Sequence, residues 1–153
     1  MQPRTTVPLA MLETTPDGYY AVRQDERDHY RFLRISRRFG KRSKWLGCIQ
    51  VQSQHSDNLK PLLMYRPLNS ENALRKDEWL WVGQPNMQSY LILAIVDPMG
   101  AGQAYASELG RCMICGKTLT DPRSIHYGIG PDCEKDHPEV IEYVDGKEEE
   151  DSE

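Results

Sequence analysis

Cys112 and Cys115 stand two residues apart, Cys133 follows after seventeen more, and His137 lies four beyond it. Two thiols at the first spacing can grip one ion from a single tight turn. Gly116, directly after the second thiol, supplies the backbone freedom such a turn needs. Cys133 and His137 are four apart, so one helical turn would set both on one face. Pro131 suits the first position of that helix, and Pro138 would stop it. Zinc prefers four ligands of this kind in a tetrahedron, and a closed set leaves no place for substrate. The pattern therefore predicts a structural Zn2+ on Cys112, Cys115, Cys133 and His137.

His126, between the cysteine groups, is the alternative fourth ligand, disfavoured by spacing alone; Asp132 or a water is a weaker option. A lone pair of cysteines at this spacing can be a redox dithiol, but that role comes with a thioredoxin-like strand–helix setting. Here the third cysteine and the histidines favour metal. If only three cysteines bound, an open zinc position could activate water, with Glu134 as the nearby acid–base group. The His-x-Glu signature of zinc deaminases is absent, and no residue is assigned a catalytic role. Cys48 reads as a small core residue, and His29 and His55 as surface residues.

The second feature with chemistry in it is cationic. Arg34, Arg37, Arg38, Lys41, Arg42 and Lys44 fall within eleven residues that contain no acid, with Phe32, Phe39 and Trp45 interleaved. Guanidinium groups grip phosphate and aromatic faces stack on unpaired bases, so the mixture suits DNA or RNA. The six basic residues and Phe39 are the expected contacts. The competing reading is a solvated hairpin loop whose Phe32 and Trp45 belong to the core. Gly128-Ile-Gly-Pro131 could also offer backbone amides to a phosphate. Seven acids between Cys112 and Asp145 oppose that, and glycines that wrap the chain around the metal are the better account.

The elements that must position these groups come from a chain of 153 residues, the size of one ordinary domain or one small domain with an appendage. Its net charge of −4 hides a sorted distribution. Residues 146–153 hold one lysine against five acids, so the body before them is neutral. Residues 21–45 carry nine bases and three acids, a local +6. No apolar run is long enough to cross a bilayer, and the first residues lack the apolar stretch of a signal peptide, which predicts a cytoplasmic protein of a bacterial host. Such a compartment keeps thiols reduced, which again favours metal over disulfides.

A first strand is expected over 5–11, a turn at Pro16-Asp17-Gly18, and strands over 18–23, 29–36 and 45–51, forming a small antiparallel sheet. The basic segment 34–44 is then a hairpin loop. Asn69-Ser70-Glu71 could open a helix, and Trp79, Leu80, Trp81 and Val82 should be buried. Residues 86–96 have helical spacing, although a strand would also fit. Asp97-Pro98 reads as an N-cap followed by proline at the first helical position, and Gly110 as the stop. The expected architecture is α+β: a domain over 1–109, a zinc-ribbon or knuckle-like module over 110–145, and a disordered acidic tail over 146–153.

The segment Gly110-Arg-Cys-Met-Ile-Cys-Gly-Lys-Thr-Leu-Thr-Asp-Pro-Arg-Ser124, followed by Gly128-Ile-Gly-Pro-Asp-Cys133, resembles an uncharacterised domain of phage and actinobacterial proteins. Its members resemble Cys-x-x-Cys-Gly-Arg-x-Leu-Thr-Asp-Pro-x-Ser and then Gly-Ile-Gly-Pro-x-Cys. The resemblance covers Gly110 to Cys133, with a looser likeness at Asp17-Gly-Tyr-Tyr-Ala-Val22 and Trp45-Leu-Gly47. It implies a small zinc-binding phage or mobile-element protein near DNA-processing functions, with no established activity. The pattern fixes three cysteines and no histidine, so the choice between His137 and His126 stays open. The expectation is an accessory protein that binds nucleic acid through the basic loop. The alternative is a protein-binding module that modifies or inhibits a host machine through its oppositely charged ends.

Overall fold

The computed structural model describes residues 7–43, 45–67, 79–81 and 87–151. Five short segments pair in sequence order. β1 (Gly18–Val22), β2 (Arg31–Ser36), β3 (Ile49–His55), β4 (Asn58–Tyr65) and β5 (Trp79–Trp81) form an antiparallel sheet of order β1-β2-β3-β4-β5. The β1–β2 register sets Gly18 opposite Ile35 and Val22 opposite Arg31, so alternate residues share a face. Tyr20, Val22, Leu33, Ile35, Ile49, Val51 and Leu63 form one cluster with Leu12, Tyr90, Leu91, Ala94 and Ile95. Those partners come from α1 (Leu9–Thr14) and α2 (Met87–Val96). On the alternate positions, Tyr19 stacks on Tyr105 at 5.1 Å between centroids, and Phe32 meets the same ring edge-on. Tyr105 is fully buried on α3 (Pro98–Leu109) and donates to Gln54 Oε1 at 3.1 Å.

α3 begins and ends as its sequence predicts. The Asp97 carboxylate accepts the Gly100 amide, Pro98 sits in the first turn, and Gly110 closes the helix at φ +64°. α2 is a helix rather than the competing strand.

Several expectations are corrected. The strand predicted over 5–11 gives way, within the described residues, to helix α1. Leu9-Ala-Met-Leu-Glu-Thr14 is a run dominated by good helix formers, and Leu12 anchors it in the core. The third strand starts at Ile49 rather than Trp45, because residues 45–47 turn and Gly47 takes φ +89°. β4 is a strand beyond those expected, and it carries Pro61, a residue ordinarily kept out of a central strand. The sheet tolerates it at an irregularity: Val51 faces Leu63 and Gln52 faces Pro61, leaving Leu62 as the extra residue. Asn69-Ser70-Glu71, the expected helix start, and Val82 lie outside the described residues, and Trp79, Leu80 and Trp81 are described as strand β5 alone. Among the described residues no helix is long and apolar enough to cross a membrane.

The C-terminal third adds α4 (Pro122–Tyr127), α5 (Pro131–Asp136) and α6 (Pro138–Asp151). They share a second cluster of Cys112, Met113, Leu119, Ile129 and Val140. α6 carries residues 146–151, the stretch expected as a disordered tail. The Tyr127 hydroxyl donates to Asp145 at 2.9 Å and His126 pairs with Glu148, so the acidic segment has docking partners on α4. Composition alone does not show those partners.

Candidate metal centre

The chain reverses after Gly110 in a short hairpin, with Arg111 bridged to Thr118 and Leu119 N–H bonded to Gly110 O. Within it, Cys112 N–H donates to Lys117 O and Gly116 N–H to Cys112 O, each at 2.8 Å. The second bond closes the turn that holds Cys112 and Cys115 on one side. Gly116 takes φ +78°, and a Cβ there would stand 2.9 Å from the Tyr19 ring. Both the turn and the ring therefore require glycine.

Cys133 arrives from α5. Gly128 ends α4 at φ +73°, where its carbonyl accepts Met113 N–H at 3.0 Å, and a Cβ would meet Ala106 at 2.9 Å. Gly130 then donates its amide to Cys112 Sγ at 3.4 Å, as does Ile114. The glycines of Gly128-Ile-Gly-Pro131 thus fold the chain against the cysteine turn, with one amide spent on a sulfur.

The three thiol sulfurs lie within 4.8 Å of one another, with Cys112 buried, Cys133 half-buried and Cys115 exposed. Tetrahedral Zn–S bonds require sulfur separations of about 3.8 Å, a small contraction of this cluster. Burial pushes the Cys112 thiol up, but N–H donors from Cys115, Gly130 and Ile114 outweigh it and bring its pKa below the usual thiol value. Cys133 is pushed up to about 12, first by burial and then by the negative charge on Cys112. One sulfur prepared as a thiolate beside another that resists a second negative charge is what a shared cation would relieve. The cluster can hold a metal ion on three sulfurs.

Neither histidine joins this cluster. His126 is exposed on α4 and pairs with Glu148. His137 is not on the helical face of Cys133, because α5 ends at Asp136 and His137 has φ −134° and ψ 60°. The cause is Pro138, whose ring disfavours helical backbone at the residue before it, so the helix stops one residue early. His137 Nδ1 meets Glu139 Oε1 at 3.0 Å. Even so, His137 lines the same cleft as Cys115 and Cys133. Asp132 is exposed and outside the sulfur cluster. Glu134 is bound to Arg123 at 2.9 Å.

That cleft, of about 320 Å³, opens between the cysteine turn, the start of β1 and the end of β2, with Arg34, Ser36 and Arg38 on its sheet side. No local pattern marks it, because it forms only when β1 pairs with β2 and the hairpin packs against both. Tyr19 N–H bonded to Met113 O at 2.8 Å fixes that packing.

The basic segment separates into engaged and exposed cations. Arg37 binds Asp17 at 2.6 Å and also donates to the carbonyls of Leu12 and Glu13, so it ties α1 to the turn before β1. Arg34, on β2, reaches Gln52 and lies over Tyr19. Arg38, Lys41 and Arg42 are exposed on the β2–β3 connection, and Phe39 is half-buried there. Lys44 lies outside the described residues. Cys48 is buried and His29 and His55 are exposed.

Residues 102–138 match a family of unknown function, DUF6011. No curated protein and no solved structure matches the chain. The family match runs from the body of α3 through the cysteine hairpin, α4 and α5, so the three-sulfur cluster lies wholly inside it and the sheet outside; over that quarter of its length the chain is similar to an uncharacterised family.

Proposed function

We propose that Cys112, Cys115 and Cys133 bind Zn2+, and that His137 supplies the fourth ligand once its side chain turns from Glu139 toward the cleft it shares with two of the sulfurs. The ion locks the hairpin, α4 and α5 around one point. On that rigid base the protein acts as a small phage or mobile-element accessory factor in the cytoplasm of a bacterial host, binding nucleic acid through the β2–β3 connection. The observation that carries the zinc reading is the convergence of three sulfurs with amide donors on the most buried one. The observation that supports nucleic acid is that Arg38, Lys41 and Arg42 form no ion pair among the described residues, while Arg37 next to them is fully engaged.

Elemental analysis should find one zinc per chain, reduced in Cys133→Ser and weakened in His137→Ala. An unchanged His137→Ala site would exclude that ligand, and absence of metal would exclude zinc. A mobility shift with single-stranded DNA or RNA should weaken with salt at a log–log slope of about −2 to −3 for three phosphate contacts. It should vanish in the triple variant Arg38→Ala, Lys41→Ala, Arg42→Ala. No shift at low salt overturns the reading. The protein-binding alternative draws on the ordered acidic face of α6, and partner recovery from host lysate that survives nuclease treatment but is lost on truncation at residue 145 would favour it.

A further inference from the structure

We infer that the cleft between the cysteine turn and the β1–β2 edge, which shares Cys115, Cys133 and His137 with the proposed metal centre, takes a terminal phosphate, the monoester at the end of a nucleic-acid strand. Its sheet wall presents donors in excess of acceptors. The Arg34 guanidinium bonds to Gln52 through one nitrogen and lies over the Tyr19 ring, and its other N–H groups have no hydrogen-bond partner among the described residues. The Arg38 side chain has no hydrogen-bond or ion-pair partner among the described residues. Ser36 accepts the Arg38 amide on its oxygen, so its hydroxyl proton is left to donate. The acid in this wall, Asp17, is held on both oxygens by Arg37, one from the backbone amide at 3.1 Å and one from the side chain at 2.6 Å. Its charge is therefore matched before any ligand arrives. Two guanidiniums and a hydroxyl around one space suit a doubly charged phosphate better than a singly charged one.

Shape narrows the ligand further. A cleft of about 320 Å³, lined away from the sheet by Ile114, Cys115, Cys133 and His137, has room for a phosphate and part of a sugar. That volume suits the end of a strand better than a run of linked nucleotides. Arg38 stands at the junction, lining the cleft and beginning the exposed connection that carries Lys41 and Arg42. A strand lying along the connection would bring its end to the cleft mouth. The inference rests on the nucleic-acid reading for the source of the phosphate, and a free mononucleotide tests the cleft by itself.

The test uses the full zinc-loaded chain and compares a 5′-phosphorylated single-stranded dodecamer, the same strand with a 5′-hydroxyl, and thymidine monophosphate. The phosphorylated strand should bind about tenfold tighter than the hydroxyl strand, the effect of one added charge-assisted contact. Arg34→Gln and Arg38→Gln should each bring that ratio toward one. Lys41→Gln with Arg42→Gln should weaken both strands alike and keep the ratio. Retained metal content and circular dichroism identify any variant that fails to fold, and Ser36→Ala then gives an independent reading of the same ratio. Equal binding of the two strands overturns the cleft and leaves the loop reading intact. Binding of the mononucleotide alone, sensitive to Arg34→Gln, upholds the cleft and overturns the loop. Binding of none of the three overturns both.

Discussion

Gly116 carries two constraints at once. Its φ of +78° lies where a side chain costs about 1–2 kcal/mol, and the missing Cβ leaves room for Tyr19, whose ring in turn covers Tyr105. Gly116→Ala should therefore destabilise the fold by at least that amount in denaturant titration and lower metal retention as well. An alanine that melts like the parent would show that the turn has slack. The need for glycine after the second cysteine was legible in the sequence, because a paired-thiol turn demands it. That the same atom makes room for a tyrosine 97 residues earlier was not, since no local pattern joins Tyr19 to Gly116. The same limit explains His137. Spacing of four implies a shared helical face, but Pro138 acts on the backbone before it and breaks the helix at the residue in question.

At the scale of elements, the β1–β2 connection is pinned to α2 by one acid. Asp28 accepts the Gln24 amide at 3.0 Å and the Tyr90 hydroxyl at 2.7 Å. The Gln24 amide first, and then the Tyr90 hydroxyl, hold its pKa below the usual 3.8. Because the folded value is depressed, the ionised carboxylate stabilises the fold fully above the ordinary carboxylate range. That contribution is lost as pH falls through 3.8 and below. Asp28→Asn should be less stable than the parent at pH 7, with the gap narrowing as the pH is taken progressively below 3.8, in parallel thermal melts. A gap independent of pH would remove the carboxylate from the account. Elements with strong local signals were readable: β1, β2, α3 with its Asp97-Pro98 start and Gly110 end, and the cysteine turn. β4 was hidden by Pro61, which the sheet places beside an extra residue, and α6 by an acidic composition whose anchors Tyr127 and His126 lie about twenty residues upstream. In both cases a long-range contact overrides what the segment would do by itself.

At the scale of the molecule, two apolar clusters draw on α3, which gives Ala101 to one and packs Met99 against the other. The larger rests on sheet and helix packing, and the smaller, with five buried members, includes Cys112 itself and packs against Cys133. Removal of the proposed zinc with a chelator should raise hydrogen exchange across residues 110–151 while β2, β3 and α2 keep their protection. Uniform loss of protection would mean that the halves fold as one unit. The bond from Tyr19 N–H to Met113 O gives this a further consequence. β1 is the outermost strand of the sheet, and the cysteine hairpin occupies part of its free side. When that hairpin loosens, β1 presents unsatisfied amide and carbonyl groups to solution, the template on which strands of neighbouring chains assemble. The ion would then guard solubility as well as shape, and light scattering after chelation should grow with protein concentration and subside when zinc is restored early.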